Sequence, residues 1–311
     1  MNLIRYYNKN RKKIWGILAI IIFAFSLFQI VEMIVNKNRE EELAMNYNHI
    51  NTVNISTENS KVMTNQSVIT GENVSTTQLK IDTSVIDEFI SYCNEKNLEK
   101  AYELLTDECK EQMYKTLEAF EQAYYNDIFK GEKMNCSIEN WVNDTYKVKI
   151  FEDMLSTGQI NNEYAKQDYI TVKKVEDEYK LNINSYIGNT EINEETKRED
   201  ININVIAKDT YMDYEEYTIK VTNNTGKDIL LDSKASIDTL YLEDKNEKKY
   251  YSYSNELTKP MLEVPKGQTK ELTIKFYSSY VSTKRIRNIV FSDLILYDGE
   301  LSEKTMIKVN V

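Results

Sequence analysis

The stretch VIDEFISYCNEKNLEKAYELLTDECKEQMY, residues 85–114, decides the predicted fold of the first half of the chain. Its apolar residues recur every three to four positions, which is typical of amphipathic helices. A capping-box pattern at Ser84 predicts that the first helix begins there. Thr106 and Thr116 are each suited to cap a further short helix. The sequence therefore predicts a run of four helices in this region.

After Gly131 the apolar period changes to two, which predicts strands. The predicted strands are Met134–Ile138, Tyr146–Phe151, Tyr169–Val175 and Tyr179–Ile183. Helices followed by antiparallel strands indicate an α+β domain over residues 80–186. The helical stretch and the closing hairpin ITVKKVEDEYKLNI, residues 170–183, resemble the NTF2-like superfamily, whose fold is a cone of helices in a curved sheet. The resemblance implies an enzyme, a small-molecule pocket or an assembly module, and the fold alone does not choose among them.

The predicted NTF2-like domain lacks a recognisable catalytic signature. It contains no histidine, and the nearest acid–base candidates are three tyrosines, Tyr102, Tyr124 and Tyr125. Each is predicted to be a core or rim aromatic residue instead. The cysteines, Cys93, Cys109 and Cys136, have neither zinc-site nor redox-motif spacing. A disulfide between the first two is the alternative to buried thiols. We therefore predict no enzymatic activity, no cofactor and no metal.

Short alternating segments separated by turn signals continue from residue 199 to residue 311. The predicted strands are Ile201–Ala207, Tyr217–Val221, Ile237–Leu242, Lys249–Tyr253, Glu271–Tyr277, Asn288–Asp293 and Thr305–Val311. This pattern predicts a β-sandwich, and it resembles the immunoglobulin-like domains of bacterial surface proteins. The predicted fold class is thus an α+β NTF2-like cone plus an all-β immunoglobulin-like sandwich, preceded by one transmembrane helix and a disordered linker.

Two groups of residues in the predicted sandwich are candidate contact sites. The aromatic group is Tyr250, Tyr251 and Tyr253. Its members lie on both faces of one predicted strand, so we expect at least one ring to be exposed. The basic group is Lys284, Arg285 and Arg287. It has the charge to bind an anionic wall polymer, and a solvated turn is the alternative.

The N-terminal part of the chain predicts a membrane anchor and a tether. Residues 14–35, IWGILAIIIFAFSLFQIVEMIV, would form a helix of roughly 33 Å, enough to span a bilayer. Residues 1–13 carry five cations and no acid, so the positive-inside rule places them in the cytoplasm. Residues 36–79 are rich in Asn, Thr and Ser and predict a flexible linker. A signal peptide cleaved near residues 24–26 is the alternative to an anchor.

Charge limits the classes of partner. Removing the five N-terminal cations from the net charge of −11 leaves −16 on residues 14–311, which disfavours binding to nucleic acid. We predict an extracytoplasmic interaction or assembly module of the bacterial cell envelope, with envelope proteins as partners. The sequence does not predict an oligomeric state.

The order of the predicted segments carries a second resemblance. A short tail, one span and an outer NTF2-like domain resemble the VirB8-like channel components of conjugation machines, which implies a role in a transfer complex. The immunoglobulin-like extension departs from that pattern. The alternative function is a module that binds a small ligand or a cell-wall glycan in the NTF2-like cone.

Overall fold

The computed structural model describes residues 60–64, 66–152, 165–281, 284–299 and 301–311. Of these residues, 60–74 and 82–311 belong to one compact unit, and 75–81 belong to another. The predicted cytoplasmic tail, the predicted transmembrane helix and residues 36–59 of the predicted linker lie outside the described residues. Within the described part of the chain, no helix is both long enough and apolar enough to cross a membrane.

One long helix and several short helical segments lie between residues 76 and 128. They are α1 (Thr76–Asn94), α2 (Leu98–Glu103), α3 (Asp107–Met113), α4 (Leu117–Phe120) and α5 (Asn126–Ile128), with a π-helical turn at Glu121–Tyr125. The Thr106 side chain accepts a hydrogen bond of 3.0 Å from the N–H of Cys109. Thr116 accepts one of 3.2 Å from the N–H of Ala119. Both predicted caps are therefore confirmed, and they explain why the helical run is broken into pieces.

Helix α1 begins earlier than predicted, at Thr76 rather than at Ser84. The Ser75 side chain accepts a hydrogen bond of 3.1 Å from the N–H of Gln78, so it caps the helix ahead of the predicted cap. The polar composition of residues 76–80 hid this start, because these residues resemble the linker before them.

A five-stranded sheet accompanies these helices. Its order is β1 (Ser60–Thr64), β2 (Met134–Val142), β3 (Thr145–Glu152), β4 (Lys166–Val175) and β5 (Glu178–Asn182). β1 pairs with β2 in parallel, and the other neighbours are antiparallel. Every second residue of β2 is buried, from Met134 through Val142, so one face of the sheet packs into the interior. β1 comes from the predicted linker.

Two further sheets make up the second region, residues 186–311. One has the order β13 (Thr269–Phe276), β8 (Glu215–Asn223), β7 (Ile201–Tyr211) and β6 (Tyr186–Arg198). The other has the order β11 (Lys249–Tyr251), β10 (Leu240–Asp244), β14 (Ile286–Asp298), β9 (Asp228–Leu230) and β12 (Glu263–Val264), and β15 (Leu301–Asn310) also pairs with β14. A short helix, α6 (Lys259–Leu262), precedes β12.

One hydrophobic core fills the space between these two sheets. It includes Ile203, Val205, Ile219 and Val221 from the first sheet and Leu240, Leu242, Ile289 and Phe291 from the second. A β-bridge between Ser252 and Phe276 connects the sheets at one edge. On the side of β6 and β15, the N–H of Asn310 donates a hydrogen bond of 3.3 Å to the Thr196 hydroxyl.

The content of secondary structure overturns the predicted fold class. Of the described residues, 49% lie in strands and 21% in helices, so the chain is mostly β-sheet and an α+β cone of the NTF2-like type is not shown. The prediction of such a cone followed by an immunoglobulin-like sandwich is therefore wrong. It gave the helical residues too much weight, because it missed the strands β1, β6, β9 and β12.

The first region is residues 60–183. Its residues 60–74 and 82–183 lie in the same compact unit as the second region. Only residues 183–185 separate β5 from β6. The N–H of Met212 donates a hydrogen bond of 2.8 Å to the C=O of Ser185. The Gln112 side chain donates one of 2.9 Å to the Tyr211 hydroxyl. The segment between the predicted domains is thus a strand, β6, that pairs with β7.

Candidate interaction surface

The end of β13 and the residues just after β11 lie side by side where the two sheets of the second region meet. Ser252 and Phe276 form the bridge between them, and both side chains are buried. Because side chains alternate along a strand, the residues flanking this pair point away from the core. These flanking residues are Tyr251, Tyr253, Lys275 and Tyr277. Tyr277 is 56% exposed and Tyr251 is 39% exposed.

Backbone hydrogen bonds fix this arrangement. The N–H of Tyr253 donates to the C=O of Lys275, and the distance is 2.9 Å. The N–H of Tyr277 donates to the C=O of Tyr251, also at 2.9 Å. Tyr214, from the turn between β7 and β8, brings its ring centroid to 6.1 Å from that of Tyr253. We call Tyr214, Tyr251, Tyr253, Lys275 and Tyr277 the tyrosine patch.

A row of rings connects the patch to the interior. The rings of Tyr186 and Tyr211, both buried, lie 5.2 Å apart. Tyr211 stacks on Tyr214 at 4.3 Å. Tyr253 stacks on Tyr277 with 3.6 Å between centroids and 19° between planes. The exposed ring of Tyr277 is thus backed by packed aromatic side chains, which restrict its rotamers.

Lys275 lies between rings and carboxylates. Its ammonium is 4.4 Å from the ring centroid of Tyr214 and 5.4 Å from that of Tyr253. The Nζ atom is 3.5 Å from a carboxylate oxygen of Glu216 and 3.4 Å from one of Glu256. Burial alone lowers the pKa of Lys275, but Tyr214 and the two glutamates outweigh it, so the pKa is raised. This lysine stays charged, and it orients the rings around it.

Tyr250, the third member of the predicted aromatic group, is half-buried and already has partners. Its hydroxyl donates a hydrogen bond of 3.4 Å to Asp244. The ammonium groups of Lys248 and Lys284 lie 5.0 Å and 5.4 Å from its ring centroid. Burial and the Asp244 carboxylate raise the pKa of Tyr250. The structure therefore places Tyr251 and Tyr253 in the tyrosine patch and Tyr250 beside it.

The structure separates Lys284 from the other two residues of the predicted basic group. Its side chain is 5% exposed, and its Nζ atom lies 3.3 Å from the buried carboxylate of Glu215. It also donates hydrogen bonds to the hydroxyl of Ser278 at 2.6 Å and to the C=O of Ser279 at 2.8 Å. Burial lowers the pKa of Lys284, and Glu215 opposes that shift. Lys284 is thus a structural cation rather than a surface contact.

Arg285 and Arg287 are both exposed, on the segment that leads into β14 and on β14 itself. The guanidinium of Arg285 donates a hydrogen bond of 2.9 Å to the C=O of Lys284. The C=O of Arg287 accepts one of 3.0 Å from the N–H of Val311. The predicted basic group therefore provides two exposed cations, not three.

The first region contains a second group of rings, which we call the aromatic cluster: Phe89, Tyr114, Phe120 and Tyr124. All four are buried. The ring of Phe120 lies 6.2 Å from that of Phe89 and 5.7 Å from those of Tyr114 and Tyr124. These contacts pack the four rings together on the helical side of the region.

Asp168 anchors the aromatic cluster to the sheet. The buried carboxylate accepts a hydrogen bond of 2.8 Å from the Tyr124 hydroxyl. It accepts two more, each 2.9 Å long, from the N–H groups of Asn184 and Ser185. Burial raises the pKa of Asp168 although these donors lower it, and burial raises the pKa of Tyr124 well above its ordinary value. A tyrosine with so high a pKa is poorly suited to proton transfer near neutral pH.

The cysteines of the first region are buried and free. All three, Cys93, Cys109 and Cys136, lack a disulfide partner among the described residues. Burial raises the pKa of the Cys109 thiol to about 12 and that of Cys93 further. This agrees with buried thiols rather than the Cys93–Cys109 disulfide. Neither thiol has the lowered pKa that a nucleophile requires.

Several patch residues were not singled out by the sequence. Tyr214, Lys275 and Tyr277 meet Tyr251 and Tyr253 only because β13 and β11 come together at the bridge. The available signal was the density of aromatic residues at two strand ends, KYYSY at residues 249–253 and FYSSY at residues 276–280. Joining them required the strand pairing, which the sequence pattern does not give.

Comparisons with known proteins leave the chain without a family. No protein-family model matches it, and no curated protein matches it. One solved structure, described as a conserved hypothetical protein from Bacillus anthracis, is 12% identical, with a TM-score of 0.23. The match covers 37% of this chain and 94% of that one. A likeness this weak identifies neither a fold nor a function.

Proposed function

We propose that this chain is an extracytoplasmic interaction module of the bacterial cell envelope, held at the membrane by its N-terminal segment. The observation that carries the proposal is the tyrosine patch. Tyr277 and Tyr251 are large, exposed aromatic side chains on a framework of paired strands and packed rings. Tyrosine is enriched where proteins bind one another, because it buries a large area and loses little conformational freedom.

The geometry of the patch supports this role. An interaction residue contributes most when its ring is already held in the bound conformation. Tyr253 stacks on Tyr277, and Lys275 bridges Tyr214, Glu216 and Glu256 on the inner side. The exposed rings therefore have little freedom to lose when a partner covers them.

The proposed location outside the cytoplasm rests on the sequence of the N-terminal segment. The apolar run at residues 14–35 is long enough to span a bilayer. The five cations before it favour an inner N-terminus. Under this proposal residues 60–311 face away from the cytoplasm, where the patch meets other envelope proteins.

In-cell crosslinking tests the proposed function. The full-length protein would be crosslinked in its native host and the captured proteins identified by mass spectrometry. A patch variant, Tyr251→Ser with Tyr277→Ser, would be compared with Leu301→Ser, which changes a 78% exposed side chain at the first residue of β15. We expect specific envelope proteins to be captured by the wild type and the Leu301 variant and lost from the patch variant.

The crosslinking experiment can also contradict the proposed function. If all three proteins capture the same abundant neighbours, the patch does not select partners and the proposed function fails. A parallel measurement of expression level and protease resistance shows whether the patch variant is folded.

A further inference from the structure

Lysine ammonium groups lie over most of the partly exposed tyrosine rings of the second region. Lys259 lies 5.8 Å from the ring centroid of Tyr297. Tyr214, Tyr250 and Tyr253 are covered in the same way. The two most exposed rings differ. In the described chain, no lysine or arginine lies over Tyr251 or Tyr277.

Two exposed carboxylates lie near Tyr253, the ring on which Tyr277 stacks. Glu256 has a side chain that is 56% exposed, and Asp213 is exposed as well. A carboxylate oxygen of Glu256 is 3.4 Å from the Nζ atom of Lys275, which lies 5.4 Å from the ring centroid of Tyr253. Burial raises the pKa of Tyr253, and Tyr277, Glu256 and Asp213 raise it further. The cation on this side, Lys275, is already shared between Glu216 and Glu256. The uncovered ring of Tyr277 therefore stacks on a ring that has the carboxylates of Glu256 and Asp213 near it.

Lysines lie near the Tyr251 side of the patch. Lys249 lies 4.2 Å from the ring centroid of Tyr241, whose ring is 6.1 Å from that of Tyr251. Lys248 lies over Tyr250, the residue before Tyr251. A ligand cation would be repelled from these lysines and attracted to the side of Glu256 and Asp213. This asymmetry favours Tyr277 over Tyr251 as the main receptor for a positive charge.

We infer that the tyrosine patch binds a lysine or arginine side chain of a partner protein, with the ring of Tyr277 over the cation and Glu256 as its carboxylate. The inference rests on the proposed function and adds the chemistry of the partner. Lys275 shows that this surface already holds one ammonium between rings and carboxylates. A partner cation would lie over Tyr277, the next ring outward from Tyr253. No lysine or arginine of the described chain lies over that ring.

Peptide binding to the purified full-length protein tests this inference. Short labelled peptides of equal length and the same proline-glycine background would carry lysine, arginine, glutamine or glutamate at the variable positions. We expect the lysine and arginine peptides to bind, with affinity that falls as salt rises. The glutamine and glutamate peptides should not bind. Equal binding of the lysine and glutamine peptides would overturn the inference.

Variants at one position separate a ring effect from general charge attraction. Tyr277→Phe keeps the ring, and Tyr277→Leu removes it. For an exposed ring–cation contact we expect Leu to weaken lysine-peptide binding by roughly 2- to 5-fold and Phe to leave it close to wild type. Glu256→Gln should also weaken binding, and Leu301→Ser should not. Unchanged binding by Tyr277→Leu would show that the ring is not the receptor.

Competing ligands distinguish a protein partner from a small cation or a cell-wall glycan. Tetramethylammonium presents a cation without a peptide, and soluble cell-wall glycan fragments present sugars. If glycan displaces the lysine peptide and binds more tightly, the patch recognises sugar and the inference fails. If peptides do not bind but in-cell capture still depends on the patch, the proposed function stands and only the partner chemistry is wrong.

Discussion

The aromatic cluster of the first region and the tyrosine patch of the second contain similar residues but differ in their exposure to solvent. Both bring tyrosine rings into contact beside a carboxylate. In the aromatic cluster every ring is buried, and Asp168 accepts hydrogen bonds from three donors. In the tyrosine patch the ring contacts run outward and end at Tyr277, which is 56% exposed. The position of a tyrosine in its packed neighbourhood, rather than its chemistry, decides whether it stabilises the fold or can meet a partner.

The largest effect should come from the centre of the aromatic cluster. Phe120 contacts four rings, those of Phe89, Tyr102, Tyr114 and Tyr124. Replacing it with alanine leaves a cavity in a packed interior, so we expect Phe120→Ala to lower the free energy of unfolding by about 3–5 kcal/mol. Denaturant unfolding of the full chain, followed by circular dichroism, measures this loss. A loss below about 1 kcal/mol would mean that the cluster collapses around the gap or is loosely packed.

A somewhat smaller effect should come from Lys284, which the sequence placed on the surface and the structure places inside. Lys284→Ala leaves the buried carboxylate of Glu215 without its closest cation. We expect a loss of about 3 kcal/mol, at the low end for a broken buried pair, because Ser278 and Lys208 still contact Glu215. Arg285→Ala is the matched control, since it removes an exposed cation one position away. Similar losses from the two variants would contradict the interior role of Lys284.

The smallest effect on stability should come from Tyr277, the most exposed ring of the tyrosine patch. Tyr277→Ala removes a ring that is mostly in solvent, so we expect the free energy of unfolding to change by less than about 1 kcal/mol. The same substitution at buried Tyr124 should cost several times more. Unfolding curves recorded in parallel for the two variants give the ratio. If Tyr277→Ala destabilises the protein as much as Tyr124→Ala, the patch is part of the core and its role as a contact surface is weakened.

Local patterns predicted local structure well and the overall class poorly. Thr106 and Thr116 cap helices as predicted, because a cap depends on residues only three positions apart. Strand β6 was missed because Ile192 is the one apolar residue from residue 189 to residue 198, so the stretch shows no apolar alternation. It is a strand because it pairs with β7, a contact that its own composition does not encode. Missed strands of this kind led to the wrong fold class.

The candidate site was only partly predictable for a similar reason. The density of tyrosine drew attention to residues 250–253, and the structure does expose Tyr251. Tyr277 and Lys275 join them through strand pairing across the bridge, which no spacing rule reveals. Lys284 was misplaced because a lysine is normally at the surface, and only the tertiary structure shows Glu215 beside it.

The short junction between β5 and β6 has an evolutionary consequence. Residues 183–185 leave no room for a spacer, and Ser185 and Gln112 hydrogen-bond across the junction to Met212 and Tyr211. A recombination event that exchanged residues 186–311 for an unrelated domain would leave these groups without partners. We therefore expect descendants of this gene to inherit both regions together and to accept insertions elsewhere, at exposed turns such as the one between β4 and β5.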